Sequence, residues 1–279
     1  MKPIVLAGLL FSCALAFAQT PAGQPTPAAQ QAPTQASKDL DPYQVNDSMS
    51  VGVFYWMTKG TPELLGGKKS TDPKAASLGL PQADKKGEGV IFTVPAGRFN
   101  NLTVEAFQVK GSGTSTATTD LSLFGNNIPT GDFLSKSFRL RSGKVSWNYL
   151  TYPAPPGTAK FRLKTLLEVQ YVNVQTVVDP IYDLGTSVSI GTKSIILPTL
   201  GMGVELAPSK HFHFEVKASG FTLPHKSAIG DGEGAAVIRV WHLELRAGGK
   251  YYYFKTSPQS DVYIKGSVLG PFGGLSWVF

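Results

Sequence analysis

The sequence predicts an all-β protein, a transmembrane antiparallel up-and-down β-barrel of about ten strands, within a range of about eight to twelve. Three observations predict it. Apolar and polar residues alternate with a period of two through most of the chain after Ser48, as in strands with one apolar face. The stretch 161–178, "FRLKTLLEVQYVNVQTVV", is long for a strand of a soluble protein. The N-terminus has the features of an export signal.

That signal is "MKPIVLAGLLFSCALAFAQ", in which Lys2 precedes an apolar run and the small residues Ala16 and Ala18 precede Gln19. The pattern indicates a secretory signal peptide that is cleaved between Ala18 and Gln19. A retained anchor helix and lipidation of Cys13 are the alternatives. Cleavage after Ala18 would remove Cys13, the chain's one cysteine, so no disulfide is expected although the compartment would permit one.

The chain is predicted to have three parts: a signal peptide at 1–18, a periplasmic linker at 19–42 and a barrel at 43–279. The linker is rich in Pro, Ala and Gln and has too few apolar residues to form a core, so we expect it to be disordered. The formal net charge of the full sequence is +7. No dense basic run accompanies that charge, and we therefore expect no nucleic-acid partner.

The alternating stretches predict ten strands. Outgoing strands are expected at about 48–58, 98–110, 159–178, 211–223 and 242–256, and returning strands at about 88–95, 131–152, 194–207, 233–239 and 260–279. The short links "VPAGR", "YPAPPGT", "APSK" and "RVWH" would lie on the periplasmic side together with both termini, and the longer links outside. The count depends on 131–152 being one strand, because splits at "RSGK" and elsewhere would give about twelve.

A soluble β-sandwich would show the same alternation, with its apolar face towards a core. Export and strand length favour the membrane barrel instead. So do aromatic clusters at 54–56 and 251–254, which we interpret as interfacial girdles, and the aromatic residue Phe279 at the last position of a strand pattern.

The polar face of each strand would then point into the lumen. It carries a predicted lumen charge network of Glu105, Arg162, Lys164, Glu168, Glu205, Glu215, Lys217, Glu244, Arg246 and Lys250. A barrel of about ten strands is close to the size whose interior is filled by side chains. The charges could therefore pair and close the lumen, or they could line a narrow selective pore.

The final stretch "GSVLGPFGGLSWVF" resembles the closing strand of bacterial outer-membrane β-barrels, with Leu275, Trp277 and Phe279 at the positions of their assembly signal. The stretches 196–226 and 243–275 also resemble a poorly characterised group of outer-membrane barrel proteins from soil bacteria. The resemblance implies an outer-membrane location, with outer-membrane lipid and the barrel-assembly machinery as partners. It implies no activity.

Three groups of residues are candidates for chemistry. His211 and His213 precede Glu215 at two-residue spacing, which metal ligands could share, but no third ligand is evident. The sequence "GDGEG" at 230–234 is interpreted as a flexible surface loop. Omptin-type proteases are ten-stranded barrels with acidic residues and a histidine at the extracellular rim, and the rim candidates here are His225, Asp231, Asp261, Asp179 and Asp183.

No motif match accompanies those rim residues, so we expect no catalytic residue, no metal site and no cofactor. The predicted function is that of an integral outer-membrane barrel with a structural, adhesive or small-solute role. A narrow porin-like channel and an omptin-like rim protease are the two alternatives.

Overall fold

The computed structural model describes residues 48–60, 62–66, 77–81, 86–97, 100–118, 120–123, 126–151, 161–181, 189–209, 211–224, 226–257 and 262–279. The chain divides into the units Met1–Asp39 and Leu40–Phe279, and every described residue belongs to the second unit. The predicted signal peptide, its cleavage site and the linker lie outside the described residues. Among the residues described, no helix is long and apolar enough to cross a membrane.

The described residues form fourteen strands: β1 (Ser50–Trp56), β2 (Glu63–Gly66), β3 (Ser77–Gly79), β4 (Gly87–Pro95), β5 (Asn100–Thr116), β6 (Leu121–Leu123), β7 (Asn126–Ile128), β8 (Phe133–Thr151), β9 (Phe161–Pro180), β10 (Ser189–Ser209), β11 (Phe212–Thr222), β12 (Ala228–Val240), β13 (Leu243–Lys255) and β14 (Val262–Val278). Ten of them build one barrel in the order β1, β4, β5 and β8 to β14, each antiparallel to the next. The predicted ten-stranded up-and-down barrel is confirmed, and 131–152 contains one strand.

Pairing between the first and last strands closes the sheet. The register of β1 and β14 runs from Ser50 opposite Val278 to Trp56 opposite Phe272. The backbone N–H of Phe279 also donates to the carbonyl of Met49 at 2.8 Å. A closed barrel leaves no strand edge without a partner, which explains why a strand rich in exposed apolar residues can end the sheet. The end of the barrel that holds Ser50 and Val278 is called the lower end below.

In the lower half of the barrel, apolar side chains face outward and polar ones face the lumen. On β8, Val145 and Trp147 are exposed outside, whereas Lys144 and Ser146 are buried inside. Apolar side chains also face outward on the neighbouring strands of the lower half. Together these outward apolar residues are called the belt, which includes Val104, Val169, Ile196, Leu200, Met202, Val216, Leu245 and Leu275. This arrangement is the one that a barrel surrounded by lipid requires.

In the upper half, the polarity is reversed. On β8, Arg139 and Arg141 face outward above the belt, whereas Phe138 and Leu140 are buried inside. The reversal occurs at Gly143, which is paired with Tyr171 of β9, and Tyr171 is paired with Ile196 of β10. The boundary therefore lies at one level across neighbouring strands, as expected where a barrel leaves lipid and continues into water.

The lengths of the strands agree with a barrel whose lower half lies in lipid and whose upper half lies in water. Strands β8, β9 and β10 have 19, 20 and 21 residues. A strand tilted by about 45° needs only about 9–11 residues to cross the hydrocarbon core. The remaining half of each long strand therefore forms a water-exposed upper barrel.

The upper barrel has a hydrophobic core of its own. The sequence analysis did not predict the four short strands β2, β3, β6 and β7, and three of them add side chains to this core: Leu64 of β2, Leu78 of β3 and Ile128 of β7 are buried in it. Lys136 Nζ donates to the carbonyl of Gly79 in β3 at 2.5 Å, and burial lowers the pKa of this lysine.

The link between β5 and β8, which contains β6 and β7, is stabilised by two hydrogen bonds to one carboxylate. Thr130 donates from its backbone N and from Oγ1 to Asp120 Oδ1, both at 2.8 Å. These two hydrogen bonds, the backbone one first, lower the pKa of the Asp120 carboxyl.

The link between β12 and β13 at the lower end consists of two residues, Trp241 and His242. Trp241 has a φ of 56° and is 89% exposed. A bulky residue in this left-handed region is strained, although a positive φ at the first central position suits a tight hairpin turn.

Candidate functional site: a charged chamber beneath an aromatic plug

The lumen of the lower half contains a continuous set of ion pairs. At one side, Arg162 of β9 and Glu205 of β10 approach to 2.5 Å, and Lys164 contacts the same carboxylate at 2.8 Å. Lys164 also lies 2.6 Å from Glu215 of β11, which Arg246 of β13 reaches at 2.9 Å. Every carboxylate in this part is shared by two cations, so the charges alternate around the wall.

The set continues through Glu233 of β12, which lies 3.1 Å from Arg246, 3.2 Å from Lys250 and 3.4 Å from Lys217. Lys250 of β13 then pairs across the lumen with Glu105 of β5.

Lys144 of β8 completes the set. Its Nζ lies 3.4 Å from Glu105 and 2.6 Å from Asp231. Ion pairs therefore link seven strands of the wall, from β5 round to β13.

Glu168 belongs to the same region but is held by neutral donors. Ser146 Oγ donates to it at 3.1 Å, Gln170 Nε2 at 2.9 Å, Thr199 Oγ1 at 3.0 Å and Ser219 Oγ at 2.5 Å. A buried carboxylate with four donors keeps its charge without a cation in direct contact.

These residues are called the charge network: Glu105, Lys144, Arg162, Lys164, Glu168, Glu205, Glu215, Lys217, Asp231, Glu233, Arg246 and Lys250. It has as many cations as carboxylates. Buried charges are tolerated when they are paired and hydrogen-bonded, so electroneutrality lets this many charges fill a narrow lumen.

Nine of the ten residues predicted for the lumen thus lie in the network. The tenth, Glu244, lines together with Arg239 the lumen cavity that many network residues also line.

The prediction for "GDGEG" was wrong. Asp231 and Glu233 are not in a surface loop but inside β12, where they are buried and point into the lumen. The outward positions between and beside them are Gly230, Gly232 and Gly234, which gave no apolar signal in the sequence. The alternation of Ile229, Asp231, Glu233, Ala235 and Val237 with small residues is the signal that could have revealed the strand.

The interpretation of the aromatic clusters as girdles was also partly wrong. Tyr55 and Tyr251 do face outward, but Trp56, Tyr252 and Phe254 are completely buried inside the barrel. Because successive residues of a strand face opposite sides, a run of aromatics must place half of them in the interior.

The inward aromatic residues form a plug directly above the charge network. The Phe107 ring packs edge-on against Trp56 at 5.6 Å and against Tyr252 at 5.0 Å between ring centroids. Phe54 packs in the same way against Phe272 at 6.3 Å. These five residues are called the aromatic plug, and such edge-to-face pairs are favourable beyond their burial.

Two contacts join the plug to the network, and the missing side chain of one glycine leaves space for a ring of the plug. Lys250 Nζ lies 5.5 Å from the centre of the Phe107 ring and 5.6 Å from that of Phe54, within the range of cation–π attraction. The Tyr252 hydroxyl and Ser142 Oγ share a hydrogen bond of 3.1 Å. A Cβ on Gly89 would lie 2.2 Å from the Phe54 ring, so only glycine lets this ring lie against β4.

Beneath the plug is a polar cavity of about 100 Å³, called the chamber. Its lining runs from Glu105 and Glu168 down to Ser50 and Arg239 near the lower end. A polar cavity of this size has room for a few water molecules. The chamber is therefore a polar pocket whose upper lining is the charge network.

His211 and His213, the histidines considered as metal ligands, are not brought together in the described structure. His211 precedes β11 and is exposed, and its Nδ1 lies 3.2 Å from the Arg239 carbonyl, whereas His213 is buried in the lumen. Within the described ranges, no group of three His, Cys, Asp or Glu residues is arranged to hold a metal ion.

The rim candidates for proteolysis are not brought together in what the structure describes. Asp231 lies in the lumen beside Lys144, and Asp179 is at the exposed upper end of β9. His225, Asp183 and Asp261 lie outside the described residues.

The residues predicted to form the assembly signal, Leu275, Trp277 and Phe279, all face outward at the lower edge of the belt. The Trp277 ring stacks on His242 at 5.6 Å between centroids, and Phe279 is 61% exposed.

Comparison with known proteins supports the fold. No protein-family model and no curated protein matches the chain, so the resemblance to proteins of soil bacteria stays a prediction. The solved structure of the outer membrane protease OmpT from Escherichia coli aligns with a TM-score of 0.54 and 9% identity, covering 84% of this chain and 97% of OmpT.

Two further solved structures align at lower TM-scores. The translocator domain of the autotransporter NalP from Neisseria meningitidis gives 0.42 with 11% identity over 84% of this chain and 89% of that domain. Ail of Yersinia pestis gives 0.36 with 10% identity over 82% of this chain and 99% of Ail. At such identities the likeness concerns the fold alone, and the chain shares the closed β-barrel fold of bacterial outer-membrane proteins.

Proposed function

We propose that this protein is an integral β-barrel of the bacterial outer membrane that conducts no solute and holds its upper barrel in water at the cell surface, in a structural or adhesive role. The observation that carries the proposal is the aromatic plug, which lies directly on the charge network. A path through the lumen would have to pass both an apolar layer and a set of mutually paired charges.

The location and orientation rest on three supports. The belt fits lipid, the fold is like that of OmpT, and three of the four links at the lower end have only two to four residues, as expected on the periplasmic side. We further propose outer-membrane lipid and the barrel-assembly machinery as partners, with Leu275, Trp277 and Phe279 as the segment that the machinery reads.

A narrow channel is the main alternative, and planar-bilayer recording separates the two. We expect no stable unitary conductance from the wild-type chain. Unitary steps of constant size with charge selectivity would contradict the proposal and favour a pore lined by the network.

A paired variant tests whether the plug is what closes the lumen. Phe107→Ala with Tyr252→Ala removes two plug rings, and we expect intermittent conducting events that the wild type lacks. The matched control is Phe212→Ala with Phe214→Ala, an aromatic pair in edge-on contact at 4.6 Å near the lower end and outside the plug. The control should stay silent.

We propose that the protein is not an enzyme. OmpT is a protease, but the likeness of the two chains extends only to the fold. Asp231, one of the rim candidates, is held by Lys144 inside the lumen. Incubation of the folded barrel with a mixed peptide library should leave the peptides intact, and cleavage that is lost in Asp179→Asn would contradict this.

A further inference from the structure

We propose that a groove on the outer wall, just above the upper boundary of the belt, binds the phosphate group of a lipid headgroup in the outer leaflet. The groove has a volume of about 320 Å³ and is lined on its outward side by Lys110, Ser112, Ser137, Arg139, Gln175 and Val177. This volume is within the range of small-ligand pockets. The inference rests on the proposed outer-membrane orientation but does not depend on a closed lumen.

The charges of the groove are the first support. Lys110 of β5 is directly opposite Arg139 of β8, and Arg141 is the next outward residue below Arg139. Arg141 Nε donates to Gln108 at 3.1 Å, which holds the guanidinium along the wall. Three cations therefore lie side by side, and two of them can offer the planar donor set that suits phosphate.

These cations have no carboxylate partner within ion-pair distance among the described residues. The opposite wall differs. There Lys265 pairs with Glu63 at 3.3 Å, and Lys255 lies 5.6 Å from the centre of the Tyr263 ring. The groove thus combines a concave surface with two positive charges in its lining, Lys110 and Arg139, and a third, Arg141, one step below them, and none of the three is in an ion pair among the described residues.

The height of these cations above the belt indicates a lipid headgroup as the source of the phosphate. One two-residue step along a strand tilted by about 40° rises about 5 Å. Arg141 lies one step above the belt residue Gly143, and Arg139 and Lys110 lie two steps above it. The headgroup layer extends about 5–8 Å beyond the hydrocarbon core, and long cationic side chains can bend towards it. Arg141 is therefore level with the lipid phosphates, and Arg139 and Lys110 lie about 10 Å above the belt, from where their long side chains can reach down to the same layer.

The test measures binding of a phosphorylated lipid to the folded full-length mature barrel in detergent micelles, by native mass spectrometry. The probe is lipid A with two phosphates, and the comparison is lipid A from which both phosphates have been removed. We expect the wild type to bind the phosphorylated form preferentially. Lys110→Gln with Arg139→Gln and Arg141→Gln should weaken that binding by about tenfold to a hundredfold.

The control is Lys255→Gln with Lys265→Gln, which removes cations from the opposite wall and should leave binding unchanged. Arg139→Lys keeps the charge but loses the planar donor set, and we expect an intermediate loss. Heat-modifiable migration on gels checks folding of each variant before binding is measured, so failure of the groove is distinct from failure of the proposed membrane barrel.

Three results would overturn the inference. They are equal binding of both lipids by the folded wild type, unchanged binding by the triple variant, and a stronger effect of the opposite-wall control. Binding of heparin fragments in preference to lipid A would also overturn it, because the groove would then serve an extracellular polyanion.

Discussion

Replacing Lys250 with methionine removes the cation at the centre of the charge network while keeping a side chain of similar length. Lys250 is 3% exposed and contacts three carboxylates: Glu105, Glu233 at 3.2 Å and Asp231 at 3.7 Å. Each of the three keeps another cation, because Lys144 serves Glu105 and Asp231 and the Arg246 side chain serves Glu233.

Removal of one partner of a buried ion pair typically costs about 3–5 kcal/mol. Because the remaining carboxylates of Lys250→Met stay partly compensated, we expect the free energy of unfolding to fall by about 3 kcal/mol, the lower end of that range. Glu105→Gln in the same background removes the charge that has lost its main partner. The double variant should therefore be more stable than the sum of the single effects predicts, by about 2 kcal/mol.

The assay is equilibrium unfolding of the refolded barrel in urea, followed by heat-modifiable gel migration and tryptophan fluorescence. The matched control is Lys265→Met, which breaks the exposed ion pair with Glu63 and should change the free energy of unfolding by less than about 1 kcal/mol. Effects of Lys250→Met and Glu105→Gln that add within about 0.5 kcal/mol would refute the account of a mutually paired network.

Four further predictions follow from the same structure. Leu200→Arg places a charge in the middle of the belt and should lower the free energy of unfolding in lipid vesicles by about 2–4 kcal/mol; a loss below about 0.5 kcal/mol would contradict the belt. At the strained turn, Trp241→Asn should be more stable to urea than Trp241→Val by about 1 kcal/mol, since asparagine tolerates a positive φ, and the reverse order would count against strain. Deletion of Phe279 should sharply reduce insertion in cells, measured by outer-membrane fractionation, while refolding in detergent stays nearly normal; wild-type insertion would exclude an assembly role. Finally, the pKa of the Asp120 carboxyl, measured by NMR titration, should lie below its ordinary value of about 3.9. Its contribution to stability is therefore present above the ordinary pKa and is lost as the pH falls through the folded pKa. A titration midpoint at or above the ordinary value would show that its two hydrogen bonds do not persist.

Much of the barrel could be predicted because the period-two alternation of polar and apolar residues continues along each strand from its lipid-facing half into its water-facing half. The pattern in 161–178 stays regular although its outward face is mainly apolar as far as Tyr171 and mainly polar from Asn173 onward. Alternation alone does not reveal which face is inside. The sequence therefore predicted the strands well but gave no sign of the reversal that divides belt from upper barrel.

The site was predictable only where the outward residues were apolar. Glu215 and Lys217 alternate with Phe214 and Val216, so their inward direction was evident. Asp231 alternates with glycines, which carry no side chain to mark the outer face.

Two other features depend on strands that are distant in the chain. Lys144 is inward only because β8 is one continuous strand, the step on which the predicted count depended. The plug could not be predicted, because Trp56, Phe107 and Tyr252 meet only when β1, β5 and β13 surround the same lumen.

The central claim is that the membrane ends at the level where the barrel changes polarity, and a quenching scan along β8 tests it most directly. Single cysteines at Arg139, Arg141, Gly143, Val145 and Trp147 would be labelled outside the barrel with an environment-sensitive fluorophore in lipid vesicles. We expect quenching by lipid-attached quenchers at 143, 145 and 147 and quenching by aqueous iodide at 139 and 141. Lipid-attached quenchers that act equally at 139 and 147, or iodide that quenches all five positions, would contradict it.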